Sequence, residues 1–289
     1  EGPVPARRGG PDRGLPAGVH EGRLRSSRIG MRGAEAYRAE AACSSGAASF
    51  RTAVMAVSAG AVESALAVGV EKMTDSPMNE ITAALATAAD AEWEAGQGLS
   101  FVSLNALLMR RYMHEHGWQK EHFAPFSINA HSNAMHNPYA RFHEKLDIDR
   151  YLKASMVNDP INLMDASPTG DGAAAAIVIP LERASRVNGH TPVLVAASTG
   201  ATDTIAVHHR KDPLFLKAAF ASGKKAYEQA GVNPDDIDVF ELHDAFSIMA
   251  ALSLEANGFA ERGKAPRLAM DGEIRINGRI PIATRGGLK

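Results

Sequence analysis

The sequence predicts an α/β fold, on three observations. Short apolar runs of strand length are separated by segments whose apolar residues recur at helical spacing, glycines stand where those helices should end, and the chemically reactive side chains fall at strand-to-helix junctions. With 289 residues at 45% hydrophobic content the chain builds one large domain or two moderate ones with a real core.

Residues 1–33 stand apart. They hold eight Gly, four Pro and seven Arg against three acidic residues, with few large apolar side chains, so they predict a disordered or non-native leader that cannot offset its ordering entropy. No aromatics interleave the arginines, which argues against an RNA-binding arm.

Beyond the leader, residues 47–59 read as an amphipathic helix, with Phe50, Val54 and Val57 on one face, and residues 64–70 after Gly60 read as a buried strand. A long polar, helical region follows over about 76–165, with an Ala-rich run at 83–95, a helix at 104–116, and turns at Asn137-Pro138 and Asp159-Pro160. Residues 172–180 and 192–198 read as buried strands. Residues 218–230 read as a helix stopped by Gly231, residues 237–242 as a strand, and residues 246–256 as a helix ended by Gly258. Strand-like segment, reactive residue, helix and glycine thus occur twice, at 43–60 and 243–258, which predicts two related halves with their helix N-termini at one crevice.

Composition excludes several classes. A net charge of −2 gives no field for nucleic acid or an anionic membrane surface, and the longest apolar run, 173–179, is too short to span a bilayer. One cysteine forms no internal disulfide, which fits a reducing, cytoplasmic compartment.

That cysteine, Cys43, is the first candidate catalytic residue. It lies in Glu40-Ala-Ala-Cys-Ser-Ser-Gly46 at a predicted helix N-terminus, where free N–H groups favour a thiolate, and its small neighbours leave room for a substrate. Ser44 or Ser45 is placed to cap the helix. The competing reading is a buried cysteine acting as a small hydrophobe. His243 is the second candidate: at the carboxyl end of the 237–242 strand it can donate to an oxyanion or move a proton, with a structural histidine as the alternative. Asp244 reads as a helix cap. His114, His116, His122, His131, His136 and His143 crowd one region, but without metal-ligand spacing, so no metal site is predicted. The pair Gly286-Gly287 signals close backbone approach to a ligand.

These residues resemble a known family. AACSSGA at 41–47 and AVGVEKMTD at 67–75 are similar to the nucleophile region of thiolases, and ELHDAFS at 241–247 resembles the block by which sterol-carrier-protein-type and archaeal-type thiolases carry His where others carry Asn. NPYARF at 137–142, SPTGDGAAAAI at 167–177, GVNPDDIDVFELHD at 231–244 and RGGLK at 285–289 are similar to the same subgroup, so the resemblance runs in order from about residue 35 to 289.

The resemblance implies a thiolase fold: αβαβα layers in two half-domains, at 34–185 and 186–289, with a loop domain inserted at about 76–165. It implies an acyltransferase in which Cys43 carries the acyl group of a 3-ketoacyl-CoA or acetyl-CoA and His243 supplies an oxyanion or enolate donor. CoA and acyl-CoA enter as substrates, with no further cofactor; Gly286 and Gly287 lie near acyl-CoA. It also implies a homo-oligomer, dimer or tetramer, and extends to a zinc-ribbon OB-fold protein as partner. An inactive acyl-CoA-binding scaffold subunit and a Cys-His thioester hydrolase are the alternatives. The family's opening strand and helix, its Gly-His-Pro histidine and its second catalytic cysteine have no counterpart in these residues, so the expectation is a fragment, incomplete at both ends and inactive by itself.

Overall fold

A computed structural model describes residues 33–186 and 191–289 together with Gly30, so most of the leader read at 1–33 lies outside the described residues. In chain order the helices are α1 (Ser45–Ser58), α2 (Met78–Ala86), α3 (Phe101–His116), α4 (Ala124–Ala134), α5 (Ile148–Lys153), α6 (Lys217–Ala230), α7 (Ser247–Ala256) and α8 (Ala265–Met270). The strands are β1 (Ala65–Lys72), β2 (Met156–Asn158), β3 (Ile161–Asn162) and β4 (Asp171–Val178); β1 pairs with β4, and β2 pairs antiparallel with β3. The chain divides into two compact units, Glu1–Gly69 with Ala175–Pro180 and Val70–Ala174 with Leu181–Lys289.

In the first unit, α1 buries Ala53 and Val57, four residues apart on one face. The sequence predicts β1 and β4 as buried strands, but Ala67 alone is buried in β1, and Leu66, Val68 and Ile177 are exposed. Among the described residues this two-stranded ribbon has no second layer to cover both faces, and a continuous apolar run is buried only when both are covered.

In the second unit, the core is built on α7, which is apolar nearly all round and therefore interior. Ile248, Ala251, Leu252 and Leu254 pack with Met109 and Tyr112 of α3, Phe123, Ala265 of α8, and Ile274, Ile280 and Ile282. The polar ends of this core are paired: Glu255 of α7 accepts from the Tyr112 hydroxyl and from the Ala265 N–H at 3.1 Å. Asp171, at the start of β4, accepts from the Met73 and Thr74 N–H groups (2.9 and 3.0 Å), the Thr74 hydroxyl (2.6 Å) and Lys72 Nζ (3.0 Å), fixing the turn after β1. Those Thr74 bonds, with Lys72, hold its carboxyl far below the usual range.

Helix positions follow the sequence closely, and their ends have local causes. The helix read from 104 starts at Phe101 because Ser100 Oγ accepts the Ser103 N–H at 3.1 Å. The Ala-rich run stops being helical after Ala86; downstream, Asp90 Oδ1 takes the N–H groups of Glu92 and Trp93 (3.1 and 2.7 Å) into a turn. Gly231 ends α6 at φ 71°, a conformation that disfavours residues with a Cβ.

Two predicted strands do not form. Residues 192–198 make no ladder, and Val193 and Leu194 are exposed. Residues 237–242 are reduced to one parallel bridge, Phe240 with Ile282, closed by the Phe240 N–H on Pro281 O at 2.9 Å. An apolar run becomes a strand only where another strand supplies the opposite ladder, which the run cannot encode.

Candidate active site

Cys43 lies in the first unit, inside a single 3-10 turn, Ala42–Ser44, that leads directly into α1, and it is exposed rather than buried. The residue before it is strained: Ala42 takes φ 48°, in the left-handed region, which costs an alanine about 1–2 kcal/mol. Hydrogen bonds around the turn hold that conformation. Glu40 Oε1 accepts the Ala42 N–H at 2.9 Å, Ser45 Oγ lies 3.0 Å from the same carboxylate oxygen and 2.7 Å from Ala42 O, and the Ala41 N–H donates to Ser45 Oγ at 2.9 Å. Arg38 pairs with Glu40, and this pairing, with the Ala42 and Ser45 bonds, holds the Glu40 carboxyl below its ordinary value. The serines thus do not cap α1 as the sequence predicts. Ser44 Oγ turns back to Ala41 O at 2.7 Å and Ser45 folds over the turn, so both brace the loop that carries Cys43.

His243 lies in the second unit, exposed, four residues before α7. Its neighbour Asp244 is buried and does not cap the helix, whose N-cap Phe246 receives no side-chain bond. Asp244 Oδ1 instead accepts the Leu288 N–H at 3.0 Å. Burial pushes its carboxyl up, against the nearby charge of Lys289 and the Leu288 bond. Gly287, at φ 58°, passes so close that a Cβ there would sit 2.1 Å from Asp244 Oδ2, and at Gly286 a Cβ would sit 2.8 Å from that of Ala134. The close backbone approach expected of this glycine pair is made to the protein's own Asp244 and α4.

Behind His243 and Asp244 is a buried polar cluster. Asp165 Oδ1 accepts from the Tyr151 hydroxyl and the Ser247 hydroxyl, both at 2.6 Å, and Oδ2 from the Asn162 N–H at 2.9 Å. Residues 165–167 run antiparallel to 245–247: Ala166 bridges Phe246, the Ser247 N–H donates to Asp165 O at 3.1 Å, and the Ser167 N–H to Ala245 O at 2.9 Å. Lys289 Nζ donates to Met164 O and Ala166 O (3.3 and 2.8 Å); burial lowers its pKa against the pull of Asp244 and Asp165. On α4, Asn129 and Asn133 lie one turn apart and aim their amides at 282–283: Asn129 donates to Ile282 O at 3.0 Å and Asn133 to Ala283 O at 3.0 Å. They brace Ala283, also held at φ 48°, just upstream of the glycine pair.

Sequence reasoning missed Asp165, Tyr151, Ser247, Asn129 and Asn133. The one available signal was the run SINAHSNA, too polar on every face for an ordinary surface helix. Four of the six crowded histidines are engaged separately. His122 accepts the Gln119 N–H at 2.8 Å and packs on Trp118, His131 stacks on Phe142, His116 packs on Tyr112, and His143 meets Asn137 O at 2.9 Å. Among the described residues no three His, Cys, Asp or Glu side chains converge as a metal site, and no helix is long and apolar enough to cross a membrane.

Comparison with known proteins adds two family matches, "Thiolase, N-terminal domain" over residues 17–182 and "Thiolase C-terminal domain-like" over residues 199–289. The acetyl-CoA acetyltransferase of Methanothermobacter thermautotrophicus is 43% identical over 270 residues, spanning 93% of this chain and 70% of its own. That of Methanocaldococcus jannaschii is 40% identical over 273 residues, spanning 93% and 69%. Among solved structures, an "Ltp2-ChsH2(DUF35) aldolase" superposes with a TM-score of 0.81 at 26% identity over 94% of this chain and 72% of that one.

Proposed function

This chain belongs to the thiolase family, and from that premise we propose that it is an acyltransferase working on acyl-CoA thioesters through an acyl-enzyme on Cys43. The observation that carries the reading is the nucleophile turn: an exposed cysteine at the head of α1, behind a strained residue that two side chains hold in place.

In the thiolytic direction the Cys43 thiolate adds to the keto carbon of a 3-ketoacyl-CoA, giving a tetrahedral alkoxide. Collapse breaks the carbon–carbon bond, its electron pair leaves as the enolate of an acyl-CoA that takes up a proton, and the acyl group stays on sulfur. A second CoA thiol then takes the acyl group and releases the Cys43 thiolate. Condensation is the reverse. His243 is assigned the donor to the developing oxyanion or enolate oxygen; one such donor is worth about 2.7–4 kcal/mol. The Gly286-Gly287 segment, laid against Asp244, presents acyl-CoA with main chain rather than side chain.

The proposal extends to CoA and acyl-CoA as substrates without a separate cofactor, a cytoplasmic homo-oligomer, the two half-domains at 34–185 and 186–289, and a zinc-ribbon OB-fold partner. The similar aldolase supports a protein partner, since it is named as a pair, Ltp2 with ChsH2(DUF35). That same likeness favours a second reading, carbon–carbon cleavage of aldol type without a cysteine-bound acyl group.

One experiment separates them. Incubated with acetoacetyl-CoA, the full-length protein should gain an acetyl mass on the peptide containing Cys43, Cys43→Ala should lose both adduct and thiolysis, and His243→Ala should slow turnover by roughly two to three orders of magnitude. Absence of the acetyl adduct in the wild type, together with cleavage of a 3-hydroxyacyl-CoA that survives in Cys43→Ala, overturns the acyl-enzyme reading in favour of the aldol type.

A further inference from the structure

We propose that Asp165 is the positioning residue for His243, a role that rests on the donor function assigned to His243 above. His243 is exposed, so its place is set by the backbone on either side of it. On its N-terminal side, Glu241 Oε1 accepts the Thr284 N–H at 2.8 Å. On its C-terminal side, Asp244 is tied to Leu288, and residues 245–247 are laid along 165–167 by two backbone bonds and one carboxylate bond, all from or beside Asp165.

The chemistry of the cluster explains why a carboxylate is needed there. Asp165 is 1% exposed, and burying an ionised carboxylate costs several kcal/mol unless each oxygen is satisfied. Its partners, the Tyr151 hydroxyl, the Ser247 hydroxyl and the Asn162 N–H, all donate to it, and an amide NH2 in the place of Oδ2 would face the Asn162 N–H, which can only donate. Tyr151 and Asn162 are themselves fully buried, and Asn162 Nδ2 donates to Tyr151 O at 2.8 Å. Asp165 therefore transmits a rigid frame, built from α5 and β3, to the first residue of α7, and the turn bearing His243 hangs from that residue. Misplacing a reacting group by about 1 Å costs up to roughly 100-fold in rate.

The test uses the full-length protein with histidine labelled in the imidazole ring, acetoacetyl-CoA as substrate, and the variants Asp165→Asn, Ser247→Ala, Tyr151→Phe and His243→Ala. Asp165→Asn should lower kcat by roughly 10- to 100-fold with KM within about threefold, and should move the NMR titration of the His243 ring. Iodoacetamide alkylation of Cys43 should stay within about twofold. Ser247→Ala, which removes one bond and leaves the core packed, should show the same signature at roughly 3- to 10-fold, and it decides the matter if Asp165→Asn does not fold. In the double variant with His243→Ala, Asp165→Asn should add little further loss, because both act on one group. The proposal is overturned if Asp165→Asn and Ser247→Ala leave the His243 titration unmoved, or if the losses simply multiply. Failure of the His243 reading is seen separately, as His243→Ala with near wild-type turnover, and the NMR titration then still decides whether Asp165 positions the ring.

Discussion

Replacing Gly287 by alanine tests the packing behind His243 directly. At φ 58° an alanine carries about 1–2 kcal/mol of backbone strain. Its Cβ would lie 2.1 Å from Asp244 Oδ2 and 2.6 Å from both Cγ and Oδ1, so the carboxylate must retreat by about 0.9 Å to restore a 3.0 Å contact. That retreat breaks the 3.0 Å bond from the Leu288 N–H and leaves a buried carboxylate short of a donor, for about 1–3 kcal/mol more. The combined loss is about 2–5 kcal/mol. In urea unfolding followed by far-UV circular dichroism, the midpoint should fall by roughly 1–2 M with the slope unchanged. Gly46→Ala is the matched comparison: the space around a Cβ there is open, the residue is inside α1, and the change should leave stability equal or raise it by up to about 1 kcal/mol. A Gly287→Ala protein within about 0.5 kcal/mol of wild type would refute the claim that this backbone is pressed against a fixed Asp244.

Two further outcomes are expected. Glu40→Ala should free the Ala42 turn and slow alkylation and acylation of Cys43 together, by roughly 5- to 50-fold, whereas adding Ala42→Gly, which removes the strain, should restore part of the loss; equal rates in all three proteins would show that the turn needs no brace. His131 is held below its ordinary value by burial first, with Lys289 and Arg150 adding to the effect, so the folded state prefers the neutral ring. As pH falls through about 6.5 the unfolded chain binds the proton first and stability is lost, by at most about 1.4 kcal/mol per pH unit, until the folded-state value is passed. Urea midpoints measured between pH 7.5 and 5 should therefore fall less steeply in His131→Phe than in wild type, and parallel curves would exclude the linkage.

What the sequence determined by itself was local. The helices at 45–58, 101–116, 217–230 and 247–256 were legible because an amphipathic or wholly apolar period and a stop signal lie within a few residues of each other. The turn that leads from Cys43 into α1 was legible for the same reason, whereas the strand expected before His243, 237–242, is one bridge only. What only the tertiary structure decided was everything that depends on a partner distant in the chain. Residues 192–198 and 237–242 carry strand composition and make no ladder, because pairing is supplied from elsewhere or not at all. Asp244 looked like a cap and is instead a buried acceptor for Leu288, 44 residues on. Asp165 carried no local signal, since the Ser247 hydroxyl it binds lies 82 residues away, and a carboxylate's meaning is set by which donors the fold brings to it.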